Sequence, residues 1–296
     1  YEFDTSILVS PNGWTTAAES RSRALMAAHQ VARVRRKNTS DSTEVLLNDG
    51  QGRELMGKVL TRQPPTLSSQ AIRDFVQAKG YCFPVGKVVS RNTYGSVSPK
   101  CHLCGAPVED YPHMQRGCPK TKDCRQKTHD QIAAALLKGI KKLHPRASVE
   151  TRPVMGKIQG CPAALKLFTP DGLVWRDKSI YVIEVSTCLS ADPAKRNTRR
   201  GDKHNTYHET FLFLERQFPK FKVYLQTYVM SVHTEYTQAE WDANLKHHTT
   251  DLVKARDVQE QCVEACILGL HELAALRRHL REEKMGPAGV DDTNSS

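Results

Sequence analysis

What this chain has little of narrows the reading before any motif does. It has no apolar run near the roughly 20 residues that a helical membrane span needs, so a spanning helix is excluded and no membrane partner is expected. Acidic residues are scarce: 32 Asp and Glu stand against 43 Lys and Arg, a net charge of +11. That deficit points to a polyanionic partner, and to nucleic acid before a membrane surface. No secretory signal is visible, no segment repeats, and no Tyr/Phe-x-Asp-Asp polymerase motif occurs. The nine cysteines are an odd count. Four zinc-type ligands also cluster, which fits a reducing compartment better than a disulfide framework. The chain opens on Tyr1, not Met, and reads as a piece of a longer polypeptide. Its 296 residues suffice for one to three small domains with a real core.

Local patterns outline an α/β fold. Residues 1–98 read as a helical linker region. Within it, 17–37 is an Ala- and Arg-rich helix that ends in a basic run. Ser69 to Lys79 is a capped helix, with Ile72, Phe75 and Val76 on one side and Gly80 as its stop. Residues 86–98 are polar and loop-like. A helix over 125–140 is apolar at Ile132, Leu136 and Ile140. A strand follows over 149–154, then two strands, a helix from about Asp202, and a strand over 221–232. Residues 236–285 form a C-terminal helical segment that Gly269 can break, and 286–296 read as a disordered tail. Helix, strand, strand, strand, helix, strand implies a mixed sheet with helices packed on it.

Residues 99–124 hold a compact Cys/His unit, Cys101-x2-Cys104-x8-His113-x4-Cys118. Three thiolates and one imidazole close a tetrahedron around Zn²⁺ with no open position, the pattern of a structural site. Gly105 follows the second cysteine, as a tight knuckle turn requires. Cys124 and His102 are the alternates for any misassigned ligand. Arg116, Lys120, Lys122, Arg125 and Lys127 surround the unit with only Asp123 opposing them, a candidate phosphate-contacting set.

The second constellation begins at Pro170-Asp171. Residues 171–176 and 179–184 are β-type, and Asp177-Lys178 between them makes a two-residue hairpin loop. Arg176 then pairs with Ser179, and counting outward sets Asp171 opposite Glu184. Directly opposed strand residues have Cβ atoms roughly 4.5–5.5 Å apart. Two carboxylates that close repel unless a divalent cation lies between them, and such ligands suit Mg²⁺ or Mn²⁺. The position two past Glu184 shares its strand face. PD-(D/E)xK nucleases carry a lysine there; this chain has Ser186. Lys203 is the candidate replacement, because it extends the apolar stripe Tyr207, Phe211, Leu214 and Phe218 by one turn. Lys195, Arg196, Arg199 and Arg200 precede it as a run expected to track phosphates.

Together these pieces resemble the C-terminal region of non-LTR retrotransposon proteins with a restriction-enzyme-like endonuclease. The pieces are the Cys101/Cys104/His113/Cys118 knuckle, Lys127-Thr128-His129-Asp130, Pro170-Asp171 with Glu184, and Lys203 with Tyr207. The likeness covers about 99–235 and departs from the family's Lys/Arg-His-Asn element at Thr128 and Asp130. It implies a PD-(D/E)xK core over 125–235 that nicks double-stranded target DNA in the nucleus. The freed 3′ hydroxyl primes copying of the element RNA by a polymerase domain of the same polypeptide. It implies Mg²⁺ at Asp171 and Glu184, Zn²⁺ at the knuckle, and catalytic parts for Lys203, Tyr207 and His129. The rival expectation is a non-catalytic nucleic-acid-binding module on a degenerate nuclease fold.

Overall fold

A computed structural model describes residues 67–79, 85–87, 98–189, 193–232, 234 and 236–285. The helix read at 17–37, the stop at Gly80, most of the loop at 86–98 and the tail at 286–296 lie outside those residues.

The described chain is mixed α/β: four strands in the order β1-β2-β3-β4, with helices on both faces. The strands are β1 (Ser148–Thr151), β2 (Gly172–Arg176), β3 (Ser179–Cys188) and β4 (Lys222–Ser231). The helices are α1 (Ser69–Lys79), α2 (Lys122–Leu143), α3 (Pro193–Gln217), α4 (Gln238–Leu245) and α5 (Leu252–Met285). The β1–β2 and β2–β3 pairs are antiparallel, and the β3–β4 pair is parallel. A parallel neighbour needs a crossover, and α3 supplies it.

The hairpin register is the one that its two-residue loop dictates. Arg176 pairs with Ser179 and Gly172 with Ile183. Asp177 takes the positive φ of 52° that a tight primed turn demands.

Side-chain alternation along β3 divides the core in two. Tyr181, Ile183 and Val185 join Ile132, Leu136 and Ile140 of α2 and Cys262, Val263 and Ile267 of α5 on one face. Ile180 and Val182 join Phe213 and Leu214 of α3 on the other. The first cluster also takes in Ile72 and Phe75 of α1, Met114 beside the knuckle, and Trp241 of α4. The sequence boundaries at 98/99, 124/125 and 235/236 therefore do not divide the core.

Helix α5 runs unbroken through Gly269. The glycine is there for close approach: a Cβ would fall 2.2 Å from Thr128 Cγ2 on α2. Helix α3 starts at Pro193, well before the expected Asp202, so the basic run 195–200 is helical.

Candidate functional site: a thiolate–imidazole cluster and a carboxylate site

The knuckle ligands converge. The Sγ atoms of Cys101, Cys104 and Cys118 and a ring nitrogen of His113 all lie within 4.8 Å of one another. Cys101 Sγ is 4.0 Å from Cys118 Sγ, and Cys104 Sγ is 3.3 Å from His113 Nε2. A tetrahedral ion with Zn–S near 2.3 Å has edges of roughly 3.6–3.8 Å, so the four atoms fit a zinc-sized ion.

The backbone explains the convergence. Gly105 adopts φ 78°, its N–H bonds the Cys101 carbonyl, and Cys101 N–H bonds the Ala106 carbonyl. A single π-type turn, His113–Gly117, then brings Cys118 N–H onto the His113 carbonyl. Burial pushes the Cys101 thiol up to about 12, with Glu109 adding to the rise against the backbone N–H groups of Cys104 and Leu103. Thiols of this kind bind a divalent cation as thiolates. The alternates do not join the cluster: His102 Nδ1 lies 3.6 Å from Glu109, and Cys124 sits on α2.

Glu109 anchors the unit. It is buried and accepts both Nε and Nη2 of Arg277 on α5, at 3.0 and 2.6 Å. Burial alone would raise its pKa, but the Arg277 fork and the Gly86 N–H bring it below the usual carboxylate value.

The carboxylate site lies where the α3 face of the sheet changes character. Ile180 and Val182 are apolar core on that face, and Glu184 and Ser186 continue the same row as buried polar residues. Asp171, one pair beyond Gly172–Ile183, falls opposite Glu184. Asp171 Oδ2 accepts the Val185 N–H at 2.7 Å, which fixes its carboxylate against β3. Glu184 Oε1 accepts an ion-paired hydrogen bond from Lys203 Nζ. Its other oxygen, Oε2, is buried without a hydrogen-bond partner among the described residues. Burial and the negative charge of Asp171 raise the Glu184 pKa, and Lys203 and His129 oppose the rise.

His129 enters from α2. Its Nε2 is 3.0 Å from the Val185 carbonyl and 3.5 Å from Asp171 Oδ2, and its Nδ1 is 3.2 Å from Asp130 Oδ1. Both ring nitrogens face acceptor oxygens, so both carry protons. Burial opposes that charge, but the two carboxylates and the Val185 carbonyl outweigh it and lift the pKa to about 9. His129 is a charged donor beside Asp171, not a free base. Asp130 extends the chain of contacts to Arg152 at 3.1 Å. Arg152 escapes a sequence reading, its one backbone mark being a φ of 49°.

Tyr207 donates to the Thr169 carbonyl at 3.3 Å, and Lys203 Nζ stands 5.8 Å from its ring centroid. Burial, then the charges of Glu184 and Asp171, raise its pKa, so the phenol stays neutral. Tyr207 thus both touches backbone and flanks Lys203.

The structure sorts the nine candidate phosphate contacts. Arg116, Lys120, Lys122 and Lys195 are exposed. Arg125 donates to the Cys118 carbonyl, Lys127 pairs with Glu272, and Arg200 pairs with Glu240. Arg196 departs most from its expected place: it is 2% exposed, one of the largest fully buried side chains, and cannot lie along a phosphate backbone. Arg199 donates from Nε to Ser186 Oγ at 2.9 Å. His204 and His208 are exposed on α3 and gather no third ligand among the described residues.

The one group of three or more metal-ligand side chains converging among the described residues is the knuckle set. The Asp171–Glu184 pair presents two carboxylates already held by Val185, His129 and Lys203. No helix of the described residues is long and apolar enough to cross a membrane. No family model matches the chain, and no curated protein matches it.

Proposed function

We propose that this chain is a metal-dependent DNA endonuclease unit with a PD-(D/E)xK-like core. In that reading it nicks target DNA for target-primed copying of a retrotransposon RNA, within a protein that carries its polymerase elsewhere. The observation that carries the reading is Asp171 and Glu184 opposed across one hairpin, with Lys203 on Glu184 and Glu184 Oε2 left unpartnered. An orphaned buried carboxylate oxygen is costly, and a cation would satisfy it.

Asp171 and Glu184 would hold Mg²⁺ or Mn²⁺, which supplies charge neutralisation and a water of lowered pKa. The reaction is phosphodiester hydrolysis. A water oxygen bonds to phosphorus as the P–O3′ bond breaks. One water proton is lost to solvent and O3′ takes up one proton from solvent as it leaves, giving a 3′ hydroxyl and a 5′ phosphate. Lys203 stabilises charge on the phosphoryl oxygens, and Tyr207 holds Lys203 in place. His129 keeps Asp171 oriented from the α2 side. The zinc-type knuckle and its exposed Arg116, Lys120 and Lys122 seat the nucleic acid.

The test is nicking of supercoiled plasmid with and without Mg²⁺. Wild type should nick only with the cation, and Asp171→Ala and Glu184→Ala should not nick while still binding DNA. Equal nicking by either variant refutes the site. A second reading, a non-catalytic nucleic-acid-binding module, is favoured by His129 and Lys203 already neutralising both carboxylates. It requires salt-sensitive binding with no cation-dependent nicking at all.

A further inference from the structure

Five cations crowd the first three turns of α3: Lys195, Arg196, Arg199, Arg200 and Lys203. Four have evident occupations: Arg196 is buried, Arg200 is paired with Glu240, Lys203 is paired with Glu184, and Lys195 points into solvent. Arg199 differs. It is half-buried and pinned through Nε alone, to Ser186 Oγ at 2.9 Å. Its two terminal amino groups have no partner among the described residues.

The place of the pin matters. Ser186 shares a strand face with Glu184, two residues along, about 6–7 Å away. Arg199 and Lys203 are one helical turn apart on the side of α3 that meets this face. A guanidinium held by Nε turns its Nη edge outward as a two-pronged donor, the geometry that suits two oxygens of one phosphate. A lysine at position 186 would instead drive a second cation into Arg199.

We infer that Arg199 is a catalytic residue of the proposed nuclease site: its Nη pair binds the nonbridging oxygens of the scissile phosphate. Ser186 is then not a lost lysine. It is the positioning residue that aims Arg199, and two cations from α3 divide the task that one strand lysine performs in other nucleases. Lys203 holds Glu184 and faces the charge that grows on the phosphoryl group, and Arg199 grips the nonbridging oxygens. This rests on the nuclease reading above.

The experiment measures single-turnover nicking of supercoiled plasmid in Mg²⁺, beside DNA affinity in the same buffer, for the wild type, Arg199→Ala, Arg199→Lys and Ser186→Ala. Arg199→Ala should lose about 10²–10³ in rate, with affinity changed less than about threefold. Arg199→Lys keeps the charge but not the fork and should lose at least about tenfold. Ser186→Ala should slow nicking by about tenfold with unchanged affinity. Added guanidinium ion should restore part of the Arg199→Ala rate and none of the Asp171→Ala rate. That rescue also separates a missing fork from a misfolded variant.

The failures are distinguishable. A wild type that never nicks overturns the nuclease reading and this inference with it. A wild type that nicks while Arg199→Ala keeps its rate overturns the inference alone. So does an Arg199→Ala variant whose rate falls only in step with its affinity, because Arg199 would then be one more tracking contact.

Discussion

Removing Arg277 should be the most damaging single truncation outside the hydrophobic core. Its guanidinium and the Glu109 carboxylate are 5% and 1% exposed, and two hydrogen bonds of 3.0 and 2.6 Å join them. Glu109 Oε2 also accepts the Gly86 N–H at 2.6 Å, and Oε1 lies 3.8 Å from Cys101 Sγ. Arg277→Ala leaves a carboxylate with nowhere to go. Breaking a buried pair from one side costs about 3–5 kcal/mol, a fifth or more of a typical domain's stability of about 5–15 kcal/mol. Arg277→Met with Glu109→Gln removes both charges and should cost much less, because the glutamine still accepts from Gly86 and no ion is stranded. The assay is urea denaturation at fixed saturating zinc, since ligand concentration itself moves the midpoint. The midpoint should fall with an unchanged slope. Zinc affinity, read by chelator competition, should fall in parallel, because an unpaired Glu109 raises the Cys101 thiol further. A cost under about 1 kcal/mol for Arg277→Ala would place the pair in the class of solvated surface bridges and refute the reasoning.

Acid should destabilise the fold through His248. Burial first, then the charges of Arg176, His144 and His247, depress its pKa from 6.5 to about 3. The unfolded chain therefore takes a proton below pH 6.5 that the folded chain refuses, and stability falls by about 1.4 kcal/mol per pH unit. Melts at pH 7 and pH 5 should differ by about 2 kcal/mol from this group, and His248→Gln should flatten the dependence; an equally steep variant excludes His248 as the cause. Purified protein should carry about one zinc per chain, and Cys104→Ser should reduce it; a folded, zinc-free knuckle would end that assignment. Gly269→Ala sets a Cβ 2.2 Å from Thr128 Cγ2. The overpacking cost of about 1–3 kcal/mol should exceed the helix-propensity gain of up to about 1 kcal/mol, so a higher melting temperature for this variant would show that α2 and α5 part freely.

What could be read from the chain follows the range of the forces involved. The hairpin register was legible because a two-residue loop admits one pairing. The knuckle was legible because its four ligands sit within 18 residues. Long strongly patterned elements were legible too, including Ser69–Lys79 to both ends. The start of α3 was misplaced by about nine residues because its first turns are polar all round, so no apolar period marks them. The usable sequence signal is Asp192-Pro193, a residue type that favours helix starts followed by proline at the first helical position. Gly269 misled because a helix interior disfavours glycine unless another helix needs its space, and Thr128 lies 141 positions earlier in the chain.

The site shows the same division more sharply. Asp171 and Glu184 are neighbours through one local turn, so their opposition followed from counting. The cations that balance them arrive from opposite sides of the sheet: His129 from α2, which packs on the Val185 face, and Lys203 from α3, which packs on the Glu184 face. Lys203 was recoverable because a cation at an apolar-stripe position must find a buried anion or leave. His129 was only half recoverable, since a histidine on an inward face is as often mere packing. Arg196 was not recoverable at all: nothing local separates an arginine that buries from the ones that stay wet. The two charges on each side cancel, and that cancellation is what lets two carboxylates sit opposed and largely buried in the first place. A count of Lys and Arg therefore overstates the side chains free to meet an anion near the site. Some of the 43 Lys and Arg are tied up inside the fold, on Glu184, Glu109 and Asp74. Only the exposed remainder can meet a phosphate backbone.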